Sequence, residues 1–139
     1  MHVDAFAPAF GVADDEGGGL KVDGFPMSSC HVDSFPKQIT VPMVLAVHAD
    51  AGTDYEPRLF IMANSPEGAR LSVLECAWDW PDRPGLPAKY WVAYRYLSFM
   101  VESPGLYSVG LYDRLDATDT DHLFPLPVSQ FNPLMPPKP

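Results

Sequence analysis

Apolar positions along the chain come in short runs at period two, separated by clusters of turn-forming residues. That pattern predicts strands rather than helices. Val3 to Phe10 alternates, DDEGGG from Asp14 to Gly19 makes a turn, and Leu20 to Met27 resumes, which predicts an N-terminal hairpin. Ile39 to Ala49 (ITVPMVLAVHA) is a dense β-branched strand whose Pro42 is expected at its start or on a sheet edge. Arg58 to Ala63 and Leu71 to Trp78 flank the turn signal N-S-P-E-G at Asn64 to Gly68. Trp80 to Pro87 (WPDRPGLP) holds three prolines in eight residues and is expected to be irregular.

Ala88 to Val101 (AKYWVAYRYLSFMV) is the longest apolar-rich segment, and its Tyr, Trp, Val and Phe content predicts a long or bulged strand. Leu106 to Tyr112, the charged loop DRLDATDTD and Leu123 to Ser129 predict a final hairpin. Seven to nine strands at this spacing predict an antiparallel β-sandwich over residues 1–129, with a proline-rich tail at 130–139 that is extended or polyproline-like. H-V-D-A-F-A at His2 recurs as H-V-D-S-F-P at His31. The sequences diverge after each copy, so no repeat architecture follows.

Composition narrows the function classes. At 139 residues and 47% hydrophobic, the chain can bury one domain's core. Its net charge of −9 argues against binding nucleic acid or an anionic membrane surface. Two cysteines without C-x-x-C spacing, no apolar run of spanning length and no apparent leader predict a cytoplasmic protein with reduced thiols.

Candidate chemistry is sparse. No P-loop, Rossmann, G-x-S-x-G or H-E-x-x-H pattern occurs, so no catalytic residue is singled out, and an enzyme is the less favoured reading. Each of the four histidines lies close to an aspartate, and H-x-D on a strand turns imidazole and carboxylate to one face. His48, Asp50 and His122 are the trio for one divalent metal ion, as an alternative to having no cofactor. H-x-D strings equally serve as soluble strand ends. The aspartates at 113, 116, 119 and 121 lack the Gly and Glu of a calcium loop and read as a solvated hairpin loop. Cys30 and His31 are adjacent, hence on opposite strand faces and ill placed as nucleophile and base.

The aromatic residues make the stronger case. Trp78 and Trp80 are two apart and expected on one strand face. Tyr90, Val92, Tyr94 and Tyr96 share another, leaving Trp91, Ala93, Leu97 and Phe99 opposite. If the second set fills the core, the tyrosine row lies at the surface, as in an interface hot spot for a protein partner or a second copy. Trp78, Trp80 and Tyr94 could instead stack on a sugar, or the row could be cross-strand packing.

S-P-G-L-Y-S-V-G-L-Y-D, from Ser103 to Asp113, predicts a tyrosine corner at Tyr107, the mark of an immunoglobulin-like sandwich, and FPLPV at Phe124 suits a final edge strand. Taken with VPMVLAVHA and SPEGARLSV, these segments give a chain that resembles a family of short bacterial all-β proteins of unknown function, over residues 3–129. The resemblance implies an immunoglobulin-like sandwich and no known activity. WDWPDRPGLP and the tail depart from that family's pattern.

Overall fold

The structure, a computed structural model, describes residues 1–131. The chain is all-β, with ten strands among the described residues where seven to nine were expected. They are β1 (His2–Pro8), β2 (Gly11–Asp14), β3 (Leu20–Asp23), β4 (Cys30–Val32), β5 (Lys37–Asp50), β6 (Arg58–Asn64), β7 (Arg70–Ala77), β8 (Ala88–Val101), β9 (Gly105–Tyr112) and β10 (His122–Gln130). Three sheets form, in the orders β1-β5-β8, β4-β10-β9-β6-β7 and β2-β3. All pairings are antiparallel except β4 with β10, which is parallel.

The three-stranded and five-stranded sheets face one another over a shared core. From β5 that core takes Ile39, Val41, Met43, Leu45, Val47 and Ala49, and from β8 it takes Leu97, Phe99 and Val101. Leu59, Ile61 and Ala63 of β6, Val109 and Leu111 of β9, and Leu126 and Val128 of β10 meet them from the other sheet. The period-two spacing therefore does select the inward face, and each fully buried aliphatic side chain contributes about 1.5–3 kcal/mol.

Two local expectations are corrected by long-range pairing. The acidic turn does close a hairpin, but its arms are β2 and β3; β1 pairs with β5 instead. That exchange places Val3 and Phe6 against the core, which a two-stranded ribbon could not offer. Pro42 sits well inside β5, the central strand of its sheet, opposite Tyr96. The Ala9 N–H donates to the Pro42 carbonyl at 2.8 Å, so the polar edge of Pro42 faces the β1 side, beyond the end of β1 at Pro8. The missing donor breaks no bond to β8. Pro125 and Pro127 are tolerated similarly: β10 is flanked by β4 and β9, but β4 begins only beside Val128.

The loop after β9 is less solvated than its aspartates suggest. Ala117 packs on Phe60, Met62 and Tyr112 on the outer side of the five-stranded sheet. Arg70 holds it there by donating to the Leu115 and Ala117 carbonyls, both at 2.8 Å. At Gly110 a Cβ would come within 2.7 Å of the Tyr112 ring, so only glycine lets that ring lie down. Of the expected tail, Gln130 closes β10 and the Phe131 N–H donates to the Val32 carbonyl. Positions 132–139 lie outside the described residues.

The corner at Tyr107 forms: its hydroxyl donates to the Ser103 carbonyl at 2.8 Å while its ring is 2% exposed. Tyr107→Phe removes that donor and leaves a carbonyl unpaired. It should lower unfolding free energy by about 1–2 kcal/mol without changing the fold, read from the urea midpoint. An unchanged midpoint would mean that the corner carries no stability.

Candidate interaction surface

β8 is an edge strand, hydrogen-bonded to β5 on one side only. Its ladder with β5 runs from Lys37↔Val101 to Asp50↔Ala88 without a register shift. The ladder continues one step further, the Ala51 N–H donating to the Pro87 carbonyl at 2.9 Å. Odd-numbered residues of β8 therefore turn their backbone groups to β5, and even-numbered ones turn theirs outward. Two further contacts agree. Pro42 faces β1, which makes Pro42↔Tyr96 a non-bonded pair, and the Tyr94 carbonyl accepts from Arg95 Nη1 at 2.8 Å rather than from β5.

The side chains follow the same parity. Trp91, Leu97, Phe99 and Val101 turn inward to the core or its margin. Tyr90 is 66% exposed, Tyr96 55% and Val92 45%, with Tyr94 half-buried between them. Tyr94 meets Tyr96 edge to face at 5.9 Å. The row continues across the sheet. The Tyr90 ring lies 5.6 Å from His48, which stacks on His2 at 4.9 Å. Residues with exposed aromatic side chains thus also hold the outward-facing N–H and C=O groups of the edge.

Trp78 and Trp80 lie elsewhere than on an open strand face. Both follow the end of β7, in the irregular segment, and Trp80 is only 4% exposed. Trp78 stacks flat on Trp91, centroids 3.8 Å apart and planes within 6°, and touches Trp80 at 5.6 Å. Arg95 lies 5.6 Å over Trp91 at one end. At the other, Lys89 Nζ lies 5.2 Å from the Trp80 ring and 4.4 Å from that of Tyr55. Trp78 thus gives one face to Trp91, and Trp80 is buried, so neither stands in an open row with Tyr94. Trp78 Nε1 is the one buried side-chain polar atom among the described residues without a hydrogen-bond partner.

Lys89 ties this array to the loop. It is 2% exposed, and its ammonium donates to the Trp80 carbonyl at 2.7 Å and to Asp82 at 3.2 Å. Asp82 also accepts from the Gly52 N–H at 3.0 Å and from the Tyr55 hydroxyl at 2.7 Å. The Gly52 N–H foremost, then the Tyr55 hydroxyl and Lys89, holds the Asp82 carboxyl below its ordinary value, and Asp82 in turn raises Tyr55. The sequence reading passed over Lys89, although it shares the odd parity of Trp91 and Ala93 and so belongs to the inward side.

The proposed metal trio is spread over two sheets. His48 and Asp50 lie on β5, and His122 opens β10. The carboxylate facing His48 Nδ1 is that of Asp4, at 2.7 and 2.8 Å, across the strand pair. His122 instead lines a cavity with Asp113, Asp119 and Asp121, over Val3, Leu59 and Leu111. Among the described residues, no group of three or more His, Cys, Asp or Glu side chains is arranged to hold a metal ion. Cys30 and Cys76 are free, and burial pushes both thiols up, away from a reactive thiolate. No helix among the described residues is long and apolar enough to cross a membrane. Comparison with family models, curated proteins and solved structures returned no match.

Two outcomes follow for the network. Lys89→Met should cost about 1–3 kcal/mol in urea unfolding, because it leaves the Trp80 carbonyl buried without a donor. Asp82, with its folded value lowered, stabilises above the ordinary carboxylate value of about 3.9, and this stabilisation is lost as pH falls through the folded value. Asp82→Asn should therefore flatten the loss of stability below about pH 4 relative to wild type. An unaltered acid slope would remove Asp82 from the account.

Proposed function

We propose that the protein is a non-catalytic, cytoplasmic interaction protein built on an immunoglobulin-like sandwich, which binds a protein partner or a second copy of itself through the outer face and open edge of β8. The hydrogen bond of the tyrosine corner supports the sandwich class. One observation carries the functional reading: Tyr90 and Tyr96, 66% and 55% exposed, stand on residues whose backbone groups also face the open edge. Exposed aromatic side chains beside unpaired strand backbone are the two elements of recognition by strand addition. Tyrosine supplies contact area at low entropic cost, and the alternate pockets between the rings would give specificity.

In this reading Trp78, Trp80, Lys89 and Arg95 position β8 and do not themselves contact the partner. Nucleic acid and membranes are not partners, given a net charge of −9 and the absence of a basic face on β8. No cofactor takes part.

The test is native mass spectrometry of untagged protein purified gently from its own host, for wild type and a Tyr90→Ala/Tyr96→Ala double variant. The expected result is a metal-free complex heavier than 15.3 kDa, lost in a double variant that keeps the wild-type melting temperature. A bare monomer contradicts the proposal, as does a monomer that carries one tightly held metal ion and no protein partner. If the double variant unfolds, the tyrosines are packing residues and the interface reading fails.

A further inference from the structure

Granting that the outer face of β8 binds, we infer that it takes a polyproline segment along its tyrosine row, and that its occupant is this chain's own proline-rich stretch, 132–139. Those positions lie outside the described residues. The inference rests on the row, on where the described chain stops, and on the sequence beyond that point.

In NPLMPPKP, Pro133, Pro136 and Pro139 recur at every third residue. A polyproline helix has three residues per turn and rises about 3.1 Å per residue, so these prolines form one ridge about 19 Å long. The receiving row has the same length: Tyr90 and Tyr96 stand six residues apart on β8, about 20 Å. Rows of exposed aromatic rings are the surface that recognises polyproline. Tyr94 meets Tyr96 at 5.9 Å and Tyr90 leans on His48 at 5.6 Å, with exposed Val92 between the two pairs. Four of the eight residues are prolines without an N–H, so the segment is unfit to pair with the strand edge. It engages ring faces and leaves the outward backbone groups of β8 free.

Connectivity and charge agree with this placement. Phe131 shares a cavity with Lys37, Ile39 and Thr40, and Thr40 Oγ1 lies 2.8 Å from the hydroxyl of Ser98, the outward position next to Tyr96. Pro133 follows Phe131 by two residues, about 6 Å, and Tyr96 lies about 7 Å from Ser98, so the ridge starts level with Tyr96. Running on toward Tyr90, it brings Lys138, the one charged side chain of the segment, to the His48 end. There Asp4 meets His48 at 2.7 Å, and exposed Asp50 shares the outward parity. A net charge of −9 opposes a second copy on this face but favours a segment that carries a cation. The tether holds the segment at an effective concentration of millimolar order, so the contact is intramolecular and an incoming partner must displace it.

Nuclear Overhauser spectra of the isotope-labelled full-length protein read the contact directly. Cross-peaks are expected from the Pro133 and Pro136 rings to those of Tyr96 and Tyr94, unchanged on dilution. Pro133→Ala/Pro136→Ala lies beyond the last strand, so it should keep the wild-type melting temperature while reducing the docked fraction about tenfold or more. Lys138→Glu keeps the prolines and should weaken the same cross-peaks, through repulsion from Asp4 and Asp50. In native mass spectra the double proline variant should carry more host partner than wild type, because the segment no longer competes. Absence of these cross-peaks in wild type overturns the inference, as does their survival in the double proline variant or their loss on dilution. If they are absent while Tyr90→Ala/Tyr96→Ala still loses its host complexes, the segment is excluded and the binding surface stands. If they are present and no host complex forms, the segment is the occupant and the partner reading falls.

Discussion

The unbroken ladder between β5 and β8 is the constraint on which the other features depend. Because it runs the length of both strands without a bulge, one parity governs the whole of β8. Odd residues bond to β5 and turn inward; even residues face the open edge and turn outward. Burial follows from that division, as does the exposure of the tyrosine row and the direction of the free backbone groups. A single bulge in the middle of β8 would invert the pattern beyond it and bury tyrosines where Leu97 and Phe99 now sit.

A strand with one unpaired edge is otherwise free to fray, and the inner side of β8 shows what restrains it. Arg95, Trp91, Trp78, Trp80, Lys89 and Tyr55 form a run of stacked and cation–π contacts from the strand into the irregular segment after β7. Each contact is worth on the order of 1 kcal/mol. Their joint effect is to fasten WPDRPGLP, which has no ladder of its own, against the inward side of the edge strand. The aromatic residues expected to make one surface are thus divided, tyrosines presenting outward and tryptophans holding the strand from within.

What the sequence made legible was set by local parity. The inward and outward sets of β8, the turn at Asn64 to Gly68 and the corner at Tyr107 each depend on residues within a few positions of one another. What it concealed depends on which distant strand arrives alongside. Pro42 could occupy a central strand only because β1 stops at Pro8, and nothing in ITVPMVLAVHA reveals that. The partner of His48 is Asp4 from β1 rather than Asp50 two residues on, because cross-strand neighbours meet more closely than the i, i+2 pair. Lys89 was half legible: its parity put it inside, but its acceptors, the Trp80 carbonyl and Asp82, come from a segment with no periodicity to read.

The central claim, that the even residues of β8 hold an open edge, is tested most directly by residue-resolved amide hydrogen exchange. The protein should be dilute enough to be monomeric. The account predicts alternation: Trp91, Ala93 and Leu97 protected by β5, with Tyr90, Val92, Tyr94 and Tyr96 exchanging far faster. Protection of all these amides in the monomer would mean that the edge is already covered. Fast exchange of all of them would mean that the ladder with β5 is not held, and either result would contradict the account.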